Sequence, residues 1–315
     1  MPLTLQLHLA PLQPCAPRSG ADFRHVTGVR SLIYNSLRRA APALAEQLHA
    51  DTRPKPFAVA PLSWSGDQSV VELAVLQDML APMLLEGLAA RGEVLRLGRE
   101  QYRLTQVVAG EQVTIDELRE EPEPPATRWR VEFMTPTVHH ETLRITGDTP
   151  TKLRKSLPVP DPVLAVTSWY HKWNCLMDRL AREPIPASFL HCLSQLTLTE
   201  FAGWTDMIAL DRAHFEIGFV GLAVYTVLGA EALSPETHRA LRTLARFANY
   251  CSTGAETMRG MGRTRVSPQW SAISPSREPA ARPRHACGSR PLSSVFVEGD
   301  PLTQRELANI AGGAE

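Results

Sequence analysis

The chain has 315 residues, 43% of them hydrophobic and 21% charged, with 33 Lys plus Arg against 33 Asp plus Glu and a formal net charge of zero. This is the composition of a globular protein with room for about two domains. It supplies no excess of basic charge, which weighs against a nucleic-acid partner unless the basic residues cluster on one face. No stretch approaches a bilayer span, and MPLTLQLHLAPLQP has neither the basic flank nor the apolar run of a signal peptide. Five cysteines, Cys15, Cys175, Cys192, Cys251 and Cys287, make no CxxC pair. Free thiols in a reducing cytosol are expected, so the protein is read as cytoplasmic, with no membrane contact.

Leu3, Leu5, Leu7 and Leu9 alternate with Thr4, Gln6 and His8, the pattern of a half-buried strand. From about 25 to 49, Val29, Leu32, Ile33, Leu37, Leu44 and Leu48 recur at helical spacing, and Pro42 is expected to interrupt the helix and start a second. Residues 57–62 and 70–76 predict two strands joined around Ser65-Gly66-Asp67. Met79, Leu80, Met83, Leu84 and Leu88 predict a helix with a stop at Gly92, followed by strands near 93–97 and 101–108. The order β-α-β-β-α-β is the ferredoxin-like arrangement. REEPEPPA, residues 119–126, is acidic and proline-rich and predicts a linker.

The second half repeats the order. Trp129, Val131 and Phe133 alternate as a strand; after Pro158, Pro160 and Pro162 a helix carries Val166, Trp169, Trp173, Leu176 and Leu180 on its apolar side. Strands are expected near 189–200 and 213–227, and Ser234-Pro235 opens a helix with Leu241, Leu244 and Phe247 inward. Arg239, Arg242 and Arg246 share one side of that helix, as a solvated face or a basic stripe. A glycine-rich stretch, STGAETMRGMG, follows and ends near Val266. The expected fold class is α+β: two tandem ferredoxin-like (RRM-like) βαββαβ domains, 1–118 and 127–266, joined by the 119–126 linker. Residues 267–315, rich in proline, serine and arginine, are expected to form a disordered tail.

Three blocks of sequence carry a family likeness. LIYN, an alanine-rich stretch ending in LH, and PKPF with a short strand come first; EFMTPT with LPVPDPVLAVTSWYHKWN comes next; STGAETMRGMG closes the set. In this order they resemble the CRISPR-associated endoribonucleases of the RAMP superfamily that process precursor CRISPR RNA, over about residues 1–266. The resemblance implies a partner, the repeat of precursor CRISPR RNA, and a cleavage site at Tyr34, His49 and Lys55. A phenol, an imidazole and an ammonium suffice for that chemistry, because the ribose 2′-hydroxyl attacks its own phosphate. Histidine can move the protons, and lysine supplies charge where the phosphorane forms. No metal or other cofactor is expected. His25, at the start of the same helix, is the rival histidine.

Within the glycine-rich stretch, Gly254, Gly260 and Gly262 would let backbone N–H groups approach a phosphate, and Arg259, Arg263 and Arg265 would add charge. Ser252 stands where the family has a glycine. Arg24, Arg30, Arg38 and Arg39 flank the catalytic helix and are open to RNA or to solvent. His139-His140-Glu141 lies in a strand-like segment where neighbours point to opposite faces, so no metal site is expected there. No Walker loop or nucleophile elbow is present. Two other readings stay open: a carrier that holds guide RNA without cutting it, and a structural subunit whose partners are the other subunits of a CRISPR interference complex.

Overall fold

A computed structural model describes residues 2–13, 18–66, 68–90, 94–120, 126–145, 151–210 and 214–269. The leucine alternation forms β1 (Leu3–Pro11), with Leu5, Leu7 and Leu9 buried. β2 (Arg18–Asp22), not anticipated from the sequence, precedes α1 (Val26–Ala40). Ala41 leaves helical geometry at φ −147°, ψ 75°, and Pro42 opens α2 (Pro42–Ala50). The break falls there because proline fits the first turn of a helix but not its interior.

The expected 57–62 strand divides into β3 (Phe57–Val59) and β4 (Leu62–Gly66). Both pair with β5 (Gln68–Val75). The break spans Pro61, which has no N–H for a ladder bond. Then come α3 (Leu80–Ala89), β6 (Val94–Leu97) and β7 (Glu100–Gln112). The sheet order is β2-β4-β5-β1-β7-β6, with β3 also on β5. A short α4 (Ile115–Arg119) is set by a capping box between Thr114 and Glu117. Most of the expected linker (121–125) and almost all of the expected tail (270–315) lie outside the described residues.

The second half opens with β8 (Arg128–Thr137) and inserts a hairpin, β9 (His139–Ile145) and β10 (Thr151–Leu157). α5 (Pro162–Arg179) starts where Asp161 caps Leu164 N–H at 2.8 Å. β11 (Leu196–Ala209) and β12 (Phe215–Val227) form a long hairpin; α6 (Pro235–Cys251) starts at the Ser234 cap, and β13 (Thr264–Pro268) closes the half. The strand expected from 189 begins only at Leu196. Residues 187–195 form a 3₁₀ helix with Phe189, Cys192 and Leu193 buried, a three- and four-residue spacing rather than alternation.

The second sheet runs β11-β12-β8-β13. In both sheets the opening strand of the repeat lies between its last strand and the strand that precedes the repeat's second long helix, β1 between β7 and β5 and β8 between β13 and β12. These are two tandem ferredoxin-like repeats. The cores meet: Ala58, Ala74 and Leu76 of the first repeat share a buried cluster with Trp169, Trp173, Leu241, Leu244 and Phe247 of the second. α6 lies at this seam, so of the three arginines expected to form a basic or solvated stripe only Arg239 is exposed. Arg242 is buried, and Arg246 donates to the carbonyls of Glu117 and Glu120 at the end of α4.

His139 and His140 do diverge. His139 is buried, its Nε2 has no hydrogen-bond partner, and burial beside Lys172 pushes its pKa down to about 4. His140 Nε2 instead lies 3.1 Å from the Glu216 carboxylate, which also accepts from Ser156 at 2.8 Å.

Two stability predictions follow from this packing. A Cβ on Gly87 of α3 would stand 1.9 Å from the Ser36 carbonyl of α1, a backbone atom that no rotamer change can move. Helix propensity favours alanine by about 1 kcal/mol, but overpacking costs about 1–3 kcal/mol. Gly87→Ala should therefore lower the urea midpoint. The second concerns acid. His139 has a folded pKa of about 4 against an ordinary 6.5, so the unfolded chain binds the extra proton first. The stability from neutral His139 is complete above pH 6.5 and declines by up to about 1.4 kcal/mol per pH unit as pH falls toward 4. His139→Phe should flatten that part of the urea-stability profile; an unchanged slope would contradict this account.

Candidate active site

The turn at the carboxyl end of α2 brings the three residues together. Tyr34, on the buried side of α1, meets the His49 ring edge-on, with centroids 5.3 Å apart and planes at 90°. Phe57, at the start of β3, packs on Tyr34 from another side at 5.8 Å. His49 is exposed on the last turn of α2. The Tyr34 hydroxyl is buried without a hydrogen-bond partner, and burial raises its pKa, opposed by the Arg30 guanidinium. Arg30 lies over the ring at 5.8 Å.

A helix leaves its last four carbonyls without partners inside it. Lys55 answers for α2: its ammonium donates to Leu48 O at 2.7 Å, to His49 O at 3.5 Å and to Asp51 O. Partial burial lowers its pKa, partly offset by Asp51. The cation also sits on the negative end of the helix dipole. Sequence reading assigned Lys55 to the phosphate; its ammonium here holds the turn that carries His49.

Asp51 ends that turn. Its carboxylate accepts from Arg53 Nε at 3.1 Å and from Arg179 Nη2 of α5 at 2.9 Å. The Arg53 and Arg179 hydrogen bonds hold it well below the usual carboxylate range. Arg53 continues to Asp178 at 2.7 Å.

The glycine-rich loop is packed, not open. Ser252 takes φ 59°, ψ 171°, a conformation glycine adopts without strain, at the position where the resemblance expected one. Gly260 (φ 76°) lies so close to Pro61 that a Cβ would be 2.9 Å from its nitrogen, and on Gly262 (φ 73°) a Cβ would be 1.9 Å from Thr253 O. Gly254 (φ 75°) is similarly pressed on Val138 O. Arg263 pairs with Glu72 of β5 across the repeats. Arg259 is 3.5 Å from Glu256, and its Nη1 is buried with no hydrogen-bond partner. Arg265 is exposed on β13, opposite Glu132.

α5 grips this loop through Lys172, Ser168 and Trp169, of which the sequence pattern marks only Trp169, as an apolar-face residue. Lys172 Nζ donates to Ser252 O at 2.9 Å and Gly254 O at 3.0 Å, Trp169 Nε1 donates to Thr253 Oγ1 at 2.7 Å, and Ser168 accepts from Gly254 N–H at 3.0 Å. Burial pushes Lys172 down to about 8. The available signal was a lysine lodged between Trp169 and Trp173 within an apolar stripe. The rival His25 is buried, 3.3 Å from the Tyr102 hydroxyl and 3.4 Å from Glu100. Of the flanking arginines, Arg24 pairs with Asp22, Arg38 with Glu46, and Arg39 donates to Ala90 O; only Arg30 of the four approaches Tyr34 in the described contacts. Among the described residues no group of three or more His, Cys, Asp or Glu could hold a metal ion, and no helix is long and apolar enough to cross a membrane.

The family model described as CRISPR-associated endoribonuclease Cas6 matches residues 131–264, which include the glycine-rich loop but not Tyr34, His49 or Lys55. A search of curated proteins finds no match. Among solved structures, a Thermus thermophilus Cas6 in a product complex is 26% identical, with TM-score 0.69, over 85% of this chain and 100% of that one. Another Cas6 product complex is 23% identical, TM-score 0.64, over 84% and 99%. A Cas6-related protein from Pyrococcus furiosus shares the fold at 11% identity, TM-score 0.54, over 85% and 99%. The chain is therefore Cas6-like, with the fold of these proteins through its described residues and the family's sequence pattern over 131–264.

Proposed function

We propose that the protein is an endoribonuclease that cuts the repeats of precursor CRISPR RNA into guide RNAs. The observation that carries this reading is the meeting of Tyr34, His49 and Lys55 at one exposed helix end on a Cas6-like fold. The matching family model is that of an endoribonuclease and the similar Thermus protein was solved as a product complex, which together support RNA as the substrate class. The two halves, 1–118 and 127–266, act as jaws on the repeat.

The ribose 2′-oxygen attacks the adjacent phosphorus and the bond to the 5′-oxygen breaks. The 2′-proton leaves to a base and a proton arrives at the 5′-oxygen, giving a 2′,3′-cyclic phosphate and a 5′-hydroxyl. His49 is the group that moves a proton, since its imidazole is exposed at the end of α2 and an imidazole can both accept and donate one. Tyr34 is a poor base, because burial raises its pKa; it fixes the imidazole plane by its edge contact. Lys55 holds the turn and adds positive charge beside the phosphorane. Arg265, exposed on β13, contacts RNA phosphates on the other half; Arg259 and Arg263, paired with Glu256 and Glu72, and the turns at Gly254, Gly260 and Gly262 set the packed loop before it. The nucleophile belongs to the substrate and the charge to side chains, so this reading needs no metal.

The test is cleavage of a repeat RNA by purified protein in EDTA. His49→Ala should lose about 10²–10⁴ in rate and keep its RNA affinity. Normal cleavage by that variant would remove His49 from the site. Binding without cleavage by the wild-type protein would make it a guide-RNA carrier.

A further inference from the structure

We propose that Arg179 is a positioning residue for cleavage, acting through Asp51; the inference rests on the site reading above. Arg179 closes α5 in the second repeat, yet its guanidinium is 2.9 Å from the Asp51 carboxylate, 128 residues away in the chain. Its side chain is only 9% exposed and that of Asp51 only 15%, so the pair is sheltered from the screening that makes surface ion pairs weak. Asp51 is two residues from His49. Its N–H closes the last turn of α2 on Gln47, its own carbonyl accepts from Lys55, and its carboxylate takes Arg179. One residue thus ties the imidazole-bearing turn, the Lys55 ammonium and the second repeat together. The exposed Arg53–Asp178 pair and the Cys175 Sγ contact to Pro54 O at 3.8 Å lie along the same seam.

The other part of α5 holds the glycine-rich loop through Ser168, Trp169 and Lys172. From Ser168 to Arg179 the helix rises about 16 Å. A single rigid element therefore spans the loop and the cleavage turn and fixes their separation. Without Arg179 that end of the gauge keeps only the exposed Arg53 bridge from Asp51 to Asp178, and an in-line attack tolerates little misplacement.

The experiment compares single-turnover cleavage of repeat RNA, at saturating protein, with equilibrium RNA affinity. Arg179→Met should slow cleavage by about 10–100-fold while Kd stays within about 2-fold, and Arg179→Lys, which can still offer one N–H to Asp51, should recover most of the rate. Asp51→Asn should slow cleavage similarly, and the double variant should be no slower than the worse single, as expected of one shared contact. Circular dichroism checks folding; if Arg179→Met does not fold, Arg179→Lys and Asp51→Asn carry the test. A wild-type rate for Arg179→Met overturns the proposal, as does a weakened Kd with an unchanged saturated rate, which would make Arg179 an RNA contact. His49→Ala run alongside separates the two ideas. If it is inactive while Arg179→Met is normal, only the positioning role falls; if it cuts normally, the site assignment falls and takes the positioning role with it.

Discussion

The carbonyls at the carboxyl end of α2 are the groups on which the candidate site depends. Helix geometry leaves them without partners, and Lys55 supplies the donors. That contact fixes the turn, and the turn fixes three things: where His49 projects, how Asp51 faces the second repeat, and where the chain re-enters the core at Phe57. The same solution recurs elsewhere. Lys172 meets the carbonyls of Ser252 and Gly254, and Arg246 those of Glu117 and Glu120. In each case a side-chain cation stabilises a place where the backbone has left its regular ladder.

This use of cations bears on the zero net charge. Arg24, Arg38, Arg53, Arg128, Arg154, Arg179 and Arg263 each lie within ion-pair distance of a carboxylate. Much of the basic composition therefore serves to join elements, so a count of Lys and Arg says little about RNA affinity. Arg30 beside Tyr34 and Arg265 on the surface of β13 stand outside these pairs and are suited to phosphate.

The glycine-rich loop shows how the two repeats constrain each other. Ser252 holds a positive φ that costs on the order of 1–3 kcal/mol for a residue with a side chain. The strain persists because the loop is clamped on several sides at once, by α5, by Val138 and by Pro61. Pro61 also lies at the break between β3 and β4, so the irregularity of the first sheet is where the second repeat's loop seats.

Local pattern carried a good deal of this. Leucine alternation in β1, the Pro42 break between α1 and α2, the Ser234-Pro235 start of α6 and the repeated element order all follow from short-range sterics and periodicity, which the sequence states directly. That Tyr34, His49 and Lys55 share one stretch of 22 residues on two helices and the loop after them is plain in the sequence; their role as a site is what the family resemblance implies. What sequence could not state was which polar groups are already engaged. Lys55 turned onto its own helix end, Arg242 lay buried at a seam, and Arg179 met Asp51 across 128 residues. A charged side chain's partner is chosen by distance in space. Periodicity assigns a residue to a face; only the packing of one repeat against the other decides what that face meets.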